Sequence, residues 1–337
     1  MNRYVVTLLV TKGVTLFQAK FPSTFPLLKS LHVDCRAGHG NDGGPIEKLL
    51  HGLPNLRVLR IDAPICDPIQ GLTWSYKFPQ LTHFALSILY QSAQDIAFFM
   101  ANNPSIRNLM LCAAGNEQIP NFPSLLPNLE ALSLQGWGRN HYTESANPPQ
   151  KITYLNVGIL GRGRSRLIRQ WAPSLRCLEL GLCIERIRME QSVEKDGYCT
   201  ALLALVPDLS ELAIHFSSGG TYMPQEDGTY LNPLPMDEEI LSKILKALPK
   251  SSTLQVLRMK DNDAGTGSPL AIESSTFASL RENMPSSLKV LQWEIDNSVV
   301  RYEFEPGQSV RIVDPPGRQW PDTLTWTDAS VLKHLQS

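Results

Sequence analysis

The sequence predicts an α/β solenoid of about eleven stacked repeats, with a curved parallel sheet on its concave side and irregular helices on its convex side. Three observations predict this fold. A phrase with apolar residues at positions i, i+3 and i+5 recurs eleven times in the 337 residues. A proline stands two residues before the phrase in seven of the eleven copies. Segments with helical periodicity separate the copies, so that strand and helix alternate every 23 to 45 residues.

Each copy of the phrase predicts one short strand. Successive side chains of a strand point to opposite faces, so the residues at i+3 and i+5 share one face, and their apolar character predicts that it is buried. The proline has no N–H and a fixed φ, so it ends the preceding helix just before the strand. The first positions of the eleven copies are Val5, Leu28, Leu56, Leu81, Ile106, Leu129, Ile152, Leu175, Leu209, Leu254 and Leu288.

Helices are predicted between the strands, and a cap is predicted after them. The helical segments are Ile46–Gly52, Asp95–Ala101, Arg166–Trp171, Thr200–Val206, Asp237–Leu248 and Ser275–Met284. After residue 296 the repeat fades, and Val299–Phe304 with Ser309–Val313 predicts a hairpin before a short helix at Asp328–Leu335. A terminal repeat exposes an apolar face, so residues 297–337 are predicted to cap a solenoid formed by residues 1–296.

The recurring phrase Pro-x-Leu-x-x-Leu-x-Leu, as in Pro54–Ile61 and Pro127–Leu134, resembles the leucine-rich repeat family over nearly the whole chain. Its long, uneven insertions look like the repeat half of fungal F-box proteins. The family often places Asn or Cys at i+8, where the side chain bonds neighbouring turns. Only Cys183 and Asn262 fit that position here, which predicts irregular turns and variable curvature.

An F-box, the helical module that docks on the adaptor of a cullin ubiquitin ligase, is imitated by Leu234–Leu248. Its Leu-Pro pair lies two residues too far upstream, and the next strand phrase follows within six residues, at Leu254. We therefore interpret the segment as an amphipathic repeat helix capped by Asp237. Because the repeat already begins at Val5, an adaptor would be a partner only if an F-box lay upstream.

Composition and motifs exclude several classes of protein. The 31 Lys+Arg balance 32 Asp+Glu, which argues against a dedicated nucleic-acid binder, and the basic cluster Gly161–Arg166 is interpreted as a solvated turn before a helix. No nucleophile-elbow, phosphate-loop, zincin or dinucleotide motif is present, so no enzyme and no cofactor are predicted. The six cysteines form no CxxC pair, so no metal site is predicted, and reduced cysteines favour the cytoplasm or nucleus. No apolar run reaches 18 residues, so no membrane span is predicted.

Binding is predicted on the concave face and on one insertion. Residues at i+2, i+4 and i+6 point away from the leucines, and those at i+4 and i+6 supply the predicted partner-binding residues. These residues are His32, Arg60, Asp62, Met110, Gln135, Asn156, Glu179, His215, Arg258 and Lys260. The polar insertion at residues 217–235 adds Tyr222, Met223 and Tyr230, residue types that carry contact energy if the segment is ordered.

These features predict a non-enzymatic scaffold that binds a protein partner on its concave face. The F-box resemblance implies the substrate-recognition part of a ubiquitin ligase. The alternative is a stand-alone scaffold of the ribonuclease-inhibitor or GTPase-activator kind, with no ligase link.

Overall fold

A computed structural model gives the fold. It describes residues 7–11, 25–34, 50–62, 74–87, 93–115, 122–137, 151–159, 162–183, 204–217, 238–248, 253–261, 281–282, 284–295, 298–304 and 311–313. The chain divides into two compact units. The N-terminal unit is Met1–Ile152 with Asp328–Ser337, and the C-terminal unit is Thr153–Thr327.

The N-terminal unit contains six described strands, which pair in chain order and run parallel. They are β1 (Thr7–Thr11), β2 (Ser30–Asp34), β3 (Val58–Asp62), β4 (His83–Ser87), β5 (Asn108–Gly115) and β6 (Ala131–Trp137). The register joins the i+3 residue of every phrase to that of the next, from Leu8 through Leu31 and onward to Leu132. The predicted phrase therefore sets both strand position and register.

The C-terminal unit contains five described parallel strands followed by two antiparallel ones. They are β7 (Tyr154–Ile159), β8 (Cys177–Cys183), β9 (Glu211–Ser217), β10 (Val256–Asp261), β11 (Val290–Ile295), β12 (Ser298–Glu303) and β13 (Arg311–Val313). The i+3 register continues from Leu155 to Leu291. The predicted hairpin is confirmed as β12 and β13, and β12 also pairs with β11. Parallel strands with few helices are compatible with an α/β solenoid.

Four helices are described: α1 (Ala93–Asn102), α2 (Phe122–Leu125), α3 (Arg162–Trp171) and α4 (Glu238–Ala247). The interpretation of Gly161–Arg166 as a turn is wrong, because α3 begins at Arg162 and includes the arginines. Arginine is a good helix former, and Gly163 lies in the first turn, where its cost is small. Helix α4 buries Leu241, Ile244 and Leu245 to at most 3% exposure, as predicted for a repeat helix.

The strand phrase forms the core. From Leu28 to Trp293, the thirty residues at i, i+3 and i+5 are each at most 5% exposed. Aromatic rings extend this core in the N-terminal unit, where Phe84 and Phe99 lie 4.5 Å apart between ring centroids and Trp74 packs edge-on against Phe99. Burial of this continuous apolar face is the main force that stacks the strands.

The proline of the phrase has a second role, in a β-turn. The N–H of the residue at i bonds the carbonyl at i−3, as in Leu56 to Leu53 at 3.3 Å and Leu81 to Phe78 at 3.0 Å. Proline at i−2 then occupies the second position of the turn, which favours its fixed φ. The turn joins directly to the strand and positions its first residues.

A hydrogen-bond ladder joins successive turns at i−1 rather than at i+8. Asn55 donates to the carbonyl of Pro26 at 2.6 Å, and Ser105 donates to that of Leu81 at 2.8 Å. Ser287 repeats the contact in the C-terminal unit, donating to Leu254 at 2.8 Å. The backbone adds a second ladder, in which the carbonyl at i+1 accepts the N–H groups at both i+1 and i+2 of the next phrase.

Asn103 is a buried exception to the pattern of simple turns. It is 1% exposed and accepts the N–H of Phe78 at 2.7 Å. Its Nδ2 donates to the carbonyls of Tyr76 at 2.9 Å and Phe99 at 2.8 Å. One amide therefore joins the last turn of α1 to the segment before β4.

Candidate functional site

The polar face is the strand face opposite the leucines, formed by the side chains at i+2, i+4 and i+6. Cross-strand neighbours on this face lie about 5 Å apart, so side chains of adjacent strands meet. Two clusters of ionisable residues occur on it, one in each unit. We call His32, Arg60 and Asp62 the N-terminal cluster, and Tyr154, Cys177, Glu179, Glu211, His215 and Arg258 the C-terminal cluster.

The N-terminal cluster is built on one carboxylate oxygen. His32 Nε2 lies 2.7 Å from Asp62 Oδ2, and Arg60 Nε lies 2.8 Å from the same atom. The Asp62 side chain is only 8% exposed, whereas those of His32 and Arg60 are 29% and 36% exposed. The buried acid therefore holds two half-exposed side chains in fixed positions.

Asp62 stays charged in this setting. Burial opposes ionisation, but the hydrogen bond from His32 and the charge of Arg60 outweigh it, so the pKa of Asp62 lies below its ordinary value of 3.8. Sequence analysis selected all three residues of this cluster, and the structure brings them together.

The C-terminal cluster contains a buried acid with both oxygens occupied. Glu179 is 3% exposed. Its Oε1 lies 2.6 Å from His215 Nε2, and its Oε2 accepts the hydroxyl of Tyr154 at 2.6 Å. The strand order β7, β8, β9 produces this set, since each member comes from a different neighbouring strand.

A second acid of the same cluster lies between a cation and a thiol. Arg258 Nε is 2.5 Å from Glu211 Oε1, a close ion pair without the angle of a good hydrogen bond. Cys177 Sγ donates to Glu211 Oε2 at 3.8 Å. Burial raises the pKa of Glu211 above its ordinary 4.5, the charge of Glu179 adds to this rise, and Arg258 and Cys177 oppose it.

The thiol of Cys177 is a poor nucleophile. Burial, reinforced by the charge of Glu211, raises its pKa to about 12. A thiol reacts as its thiolate, so Cys177 stays almost entirely in the unreactive form at neutral pH. The cysteine, histidine and carboxylates of this cluster thus lack an activated nucleophile among them.

The remaining predicted residues have different surroundings. Asn156 is 2% exposed and accepts the N–H of Gly158 at 2.9 Å. Gly158 has φ of 56°, a left-handed value that favours glycine, where the β7–β8 register shifts. Asn156 therefore has a structural contact at the bulge, and Met110 and Lys260 are half-buried on their strands.

Four predicted residues lie beyond what the structure covers. The backbone of Gln135 pairs with Cys112, but its side chain is outside the described part. Tyr222, Met223 and Tyr230 lie outside the described residues altogether. Their predicted contacts stay predictions.

Sequence reasoning missed three members of the C-terminal cluster. Tyr154, Cys177 and Glu211 all stand at i+2, a position that lies on the polar face by the same alternation. Reading the i+2 residues of consecutive phrases would have placed Tyr154, Cys177 and Glu211 side by side. That row was the available signal.

His83, also at i+2, is a buried polar residue of the N-terminal unit. It is 7% exposed, with Nε2 2.8 Å from Asn108 Nδ2. Because an amide nitrogen can only donate, Nε2 accepts, and Nδ1 carries the proton toward Thr82 Oγ1 at 2.9 Å. His83 is therefore neutral in this arrangement.

Within the described residues, no group of three or more His, Cys, Asp or Glu side chains is arranged to hold a metal ion. No helix in the described part of the chain is long and apolar enough to cross a membrane. A scan against models of protein families found no match. A search of curated proteins found no match either.

Proposed function

We propose that this protein is a non-enzymatic scaffold that binds a protein partner through the polar face of its strands. The observation that carries the proposal is the pairing of half-exposed cations with buried acids: Arg60 and His32 with Asp62, and Arg258 with Glu211. Such pairs hold polar groups in one orientation before a partner arrives, which lowers the entropic cost of binding.

The charges favour a protein over a polyanion. Each unit presents both signs within one cluster, with Arg60 beside Asp62 in one and Arg258 beside Glu211 and Glu179 in the other. A polyanion-binding surface needs an excess of cations, whereas protein interfaces pair mixed charges.

The test is site-specific photo-crosslinking in the native cell. A photoreactive residue replaces Met110 or Gln292, two half-buried positions on the polar face outside both clusters. The matched control is Phe98, which is 54% exposed on α1. We expect one protein to be captured from a polar-face position and not from Phe98.

Binding of the captured protein is then measured with both purified. Met110→Arg or Gln292→Arg, at whichever position captured it, should weaken the affinity at least tenfold, because each places an unmatched charge in the interface. Phe98→Arg should leave the affinity unchanged. Capture from all three positions alike, or from none, would reject the proposal.

The finer proposal is substrate recognition for a ubiquitin ligase, supported by the resemblance to the repeat half of F-box proteins. Helix α4 does not offer its leucines to an adaptor, since Leu241 and Leu245 are 0% exposed. A ligase role would therefore depend on an F-box outside this segment. Depletion of the protein should stabilise the captured partner if it is a ligase substrate. An unchanged half-life would favour the stand-alone scaffold.

A further inference from the structure

The two clusters differ in how much hydrogen-bonding capacity they leave unused. In the C-terminal cluster, all four carboxylate oxygens of Glu179 and Glu211 have a polar neighbour. In the N-terminal cluster, His32 and Arg60 converge on a single oxygen of Asp62. The terminal Nη1 and Nη2 groups of Arg60 make no contact with any described residue. The N-terminal cluster is therefore the open one.

The guanidinium of Arg60 is oriented before any ligand binds. Its Nε is held by Asp62 at 2.8 Å, and Asp62 is held from the other side by His32. A guanidinium is planar, so fixing Nε fixes the direction of the Nη1–Nη2 edge as well. The Arg60 side chain is 36% exposed, which leaves this edge accessible.

The neighbours of Arg60 present no competing described anion beyond Asp62. On the next strand its register partner is Ala85, whose side chain is a single methyl group. Met110 follows in register one strand further, about 10 Å from Arg60 at the usual strand spacing. Val58, two residues before Arg60 on the same face, is buried. An anion at Arg60 would thus have apolar groups on one side.

We propose that the Nη1–Nη2 edge of Arg60 binds the carboxylate of an Asp or Glu side chain of the protein partner, with an adjacent apolar residue of that partner directed toward Met110. This inference rests on the proposed function and specifies the chemistry of the partner. The planar fork of two N–H donors matches the two oxygens of a carboxylate, and such bidentate pairs are stronger and more specific than single hydrogen bonds.

The experiment selects ligands without assuming the partner. A phage-displayed library of random 12-residue peptides is panned on the immobilised full chain, as wild type, Arg60→Gln and Arg107→Gln. Arg107 is the matched control, an exposed arginine of the same unit paired with Glu130 in a turn. We expect wild type and Arg107→Gln to enrich peptides with Asp or Glu beside an apolar residue, and Arg60→Gln to lose that enrichment.

Synthetic peptides then measure the contact by fluorescence polarisation. On the wild type, replacing the enriched Glu by Gln should weaken binding about tenfold or more, because the charge-assisted pair is lost. On Arg60→Gln the same replacement should change binding less than about twofold. Arg60→Lys should restore little, since an ammonium cannot hold Asp62 and offer a planar fork together.

Three results would overturn the inference. One is equal binding of the Glu and Gln peptides to the wild type, a comparison that needs no variant to fold. Another is full Glu preference in Arg60→Gln. The third is a phosphoserine peptide that binds at least tenfold tighter than the Glu peptide, which would assign the site to phosphate. Photo-crosslinks at Met110 with no acidic preference would reject this inference alone, whereas loss of all polar-face crosslinks would reject the proposed function.

Discussion

Replacing Asn103 by leucine should destabilise the N-terminal unit by about 3–5 kcal/mol. Leucine has nearly the volume of asparagine, so the change removes hydrogen bonds with little effect on packing. It leaves the N–H of Phe78 and the carbonyls of Tyr76 and Phe99 without the amide that joins them. Each buried group left unsatisfied costs about 1–3 kcal/mol, with the N–H at the upper end because it has only one bond to make.

The loss is large against a total stability of about 5–15 kcal/mol. Urea unfolding followed by circular dichroism and by tryptophan fluorescence measures it, with Trp74 reporting from the same aromatic cluster. Asn128→Ala is the matched control, because Asn128 is exposed and donates only a 3.4 Å bond to the carbonyl of Pro104. It should cost less than about 0.5 kcal/mol. Similar losses in Asn103→Leu and Asn128→Ala would refute the bridging role.

Other substitutions test the core and the clusters. Leu132→Asp should cost several kcal/mol, because it places an unpaired charge at a 0% exposed core position; unchanged thermal unfolding would disprove the register. Asp62→Asn should destabilise at pH 7 and lose that effect below about pH 4, because the pKa of Asp62 is lower folded than unfolded, so its ionised form stabilises. Glu211→Gln should have the opposite sign, stabilising or neutral at pH 7 and without effect in acid, because the pKa of Glu211 is raised on folding. Urea titrations at both pH values check the pair, and parallel slopes would contradict it. Cys177 should resist iodoacetamide at pH 8 while half-buried Cys112 reacts, as peptide mass spectrometry shows; equal labelling would count against the raised pKa of Cys177.

The strands and their register were predictable because one physical requirement acts on every copy. Residues at i, i+3 and i+5 must all be apolar to be buried, as at Leu28, Leu31 and Val33. Any departure would show in a single sequence. The start of α3 was not predictable in the same way, because Gly161 and Gly163 are typical of turns while the arginines between them favour helix.

The ladder at i−1 and the polar clusters were harder to predict for a different reason. Asn, Gln, Ser and Thr can all reach the preceding turn, so the position is constant while the residue type varies. In the C-terminal cluster, Glu179 contacts Tyr154 and His215 diagonally across two strands. Such contacts depend on which rotamer each side chain adopts, and alternation along one strand does not contain that information.

The backbone ladder makes the length of each connection nearly irrelevant to the sheet. Arg107 N–H bonds the carbonyl of Thr82 at 2.9 Å across 25 residues, and Gln255 N–H bonds that of Ser210 at 2.9 Å across 45 residues. Because turn and strand carry their own alignment, extra chain can be spliced between them at a cost that grows only as the logarithm of its length. Evolution can thus elaborate the connections independently of the strands. A protein engineer could graft a foreign peptide into the long segment between Ser210 and Gln255 and leave the strand pairing intact.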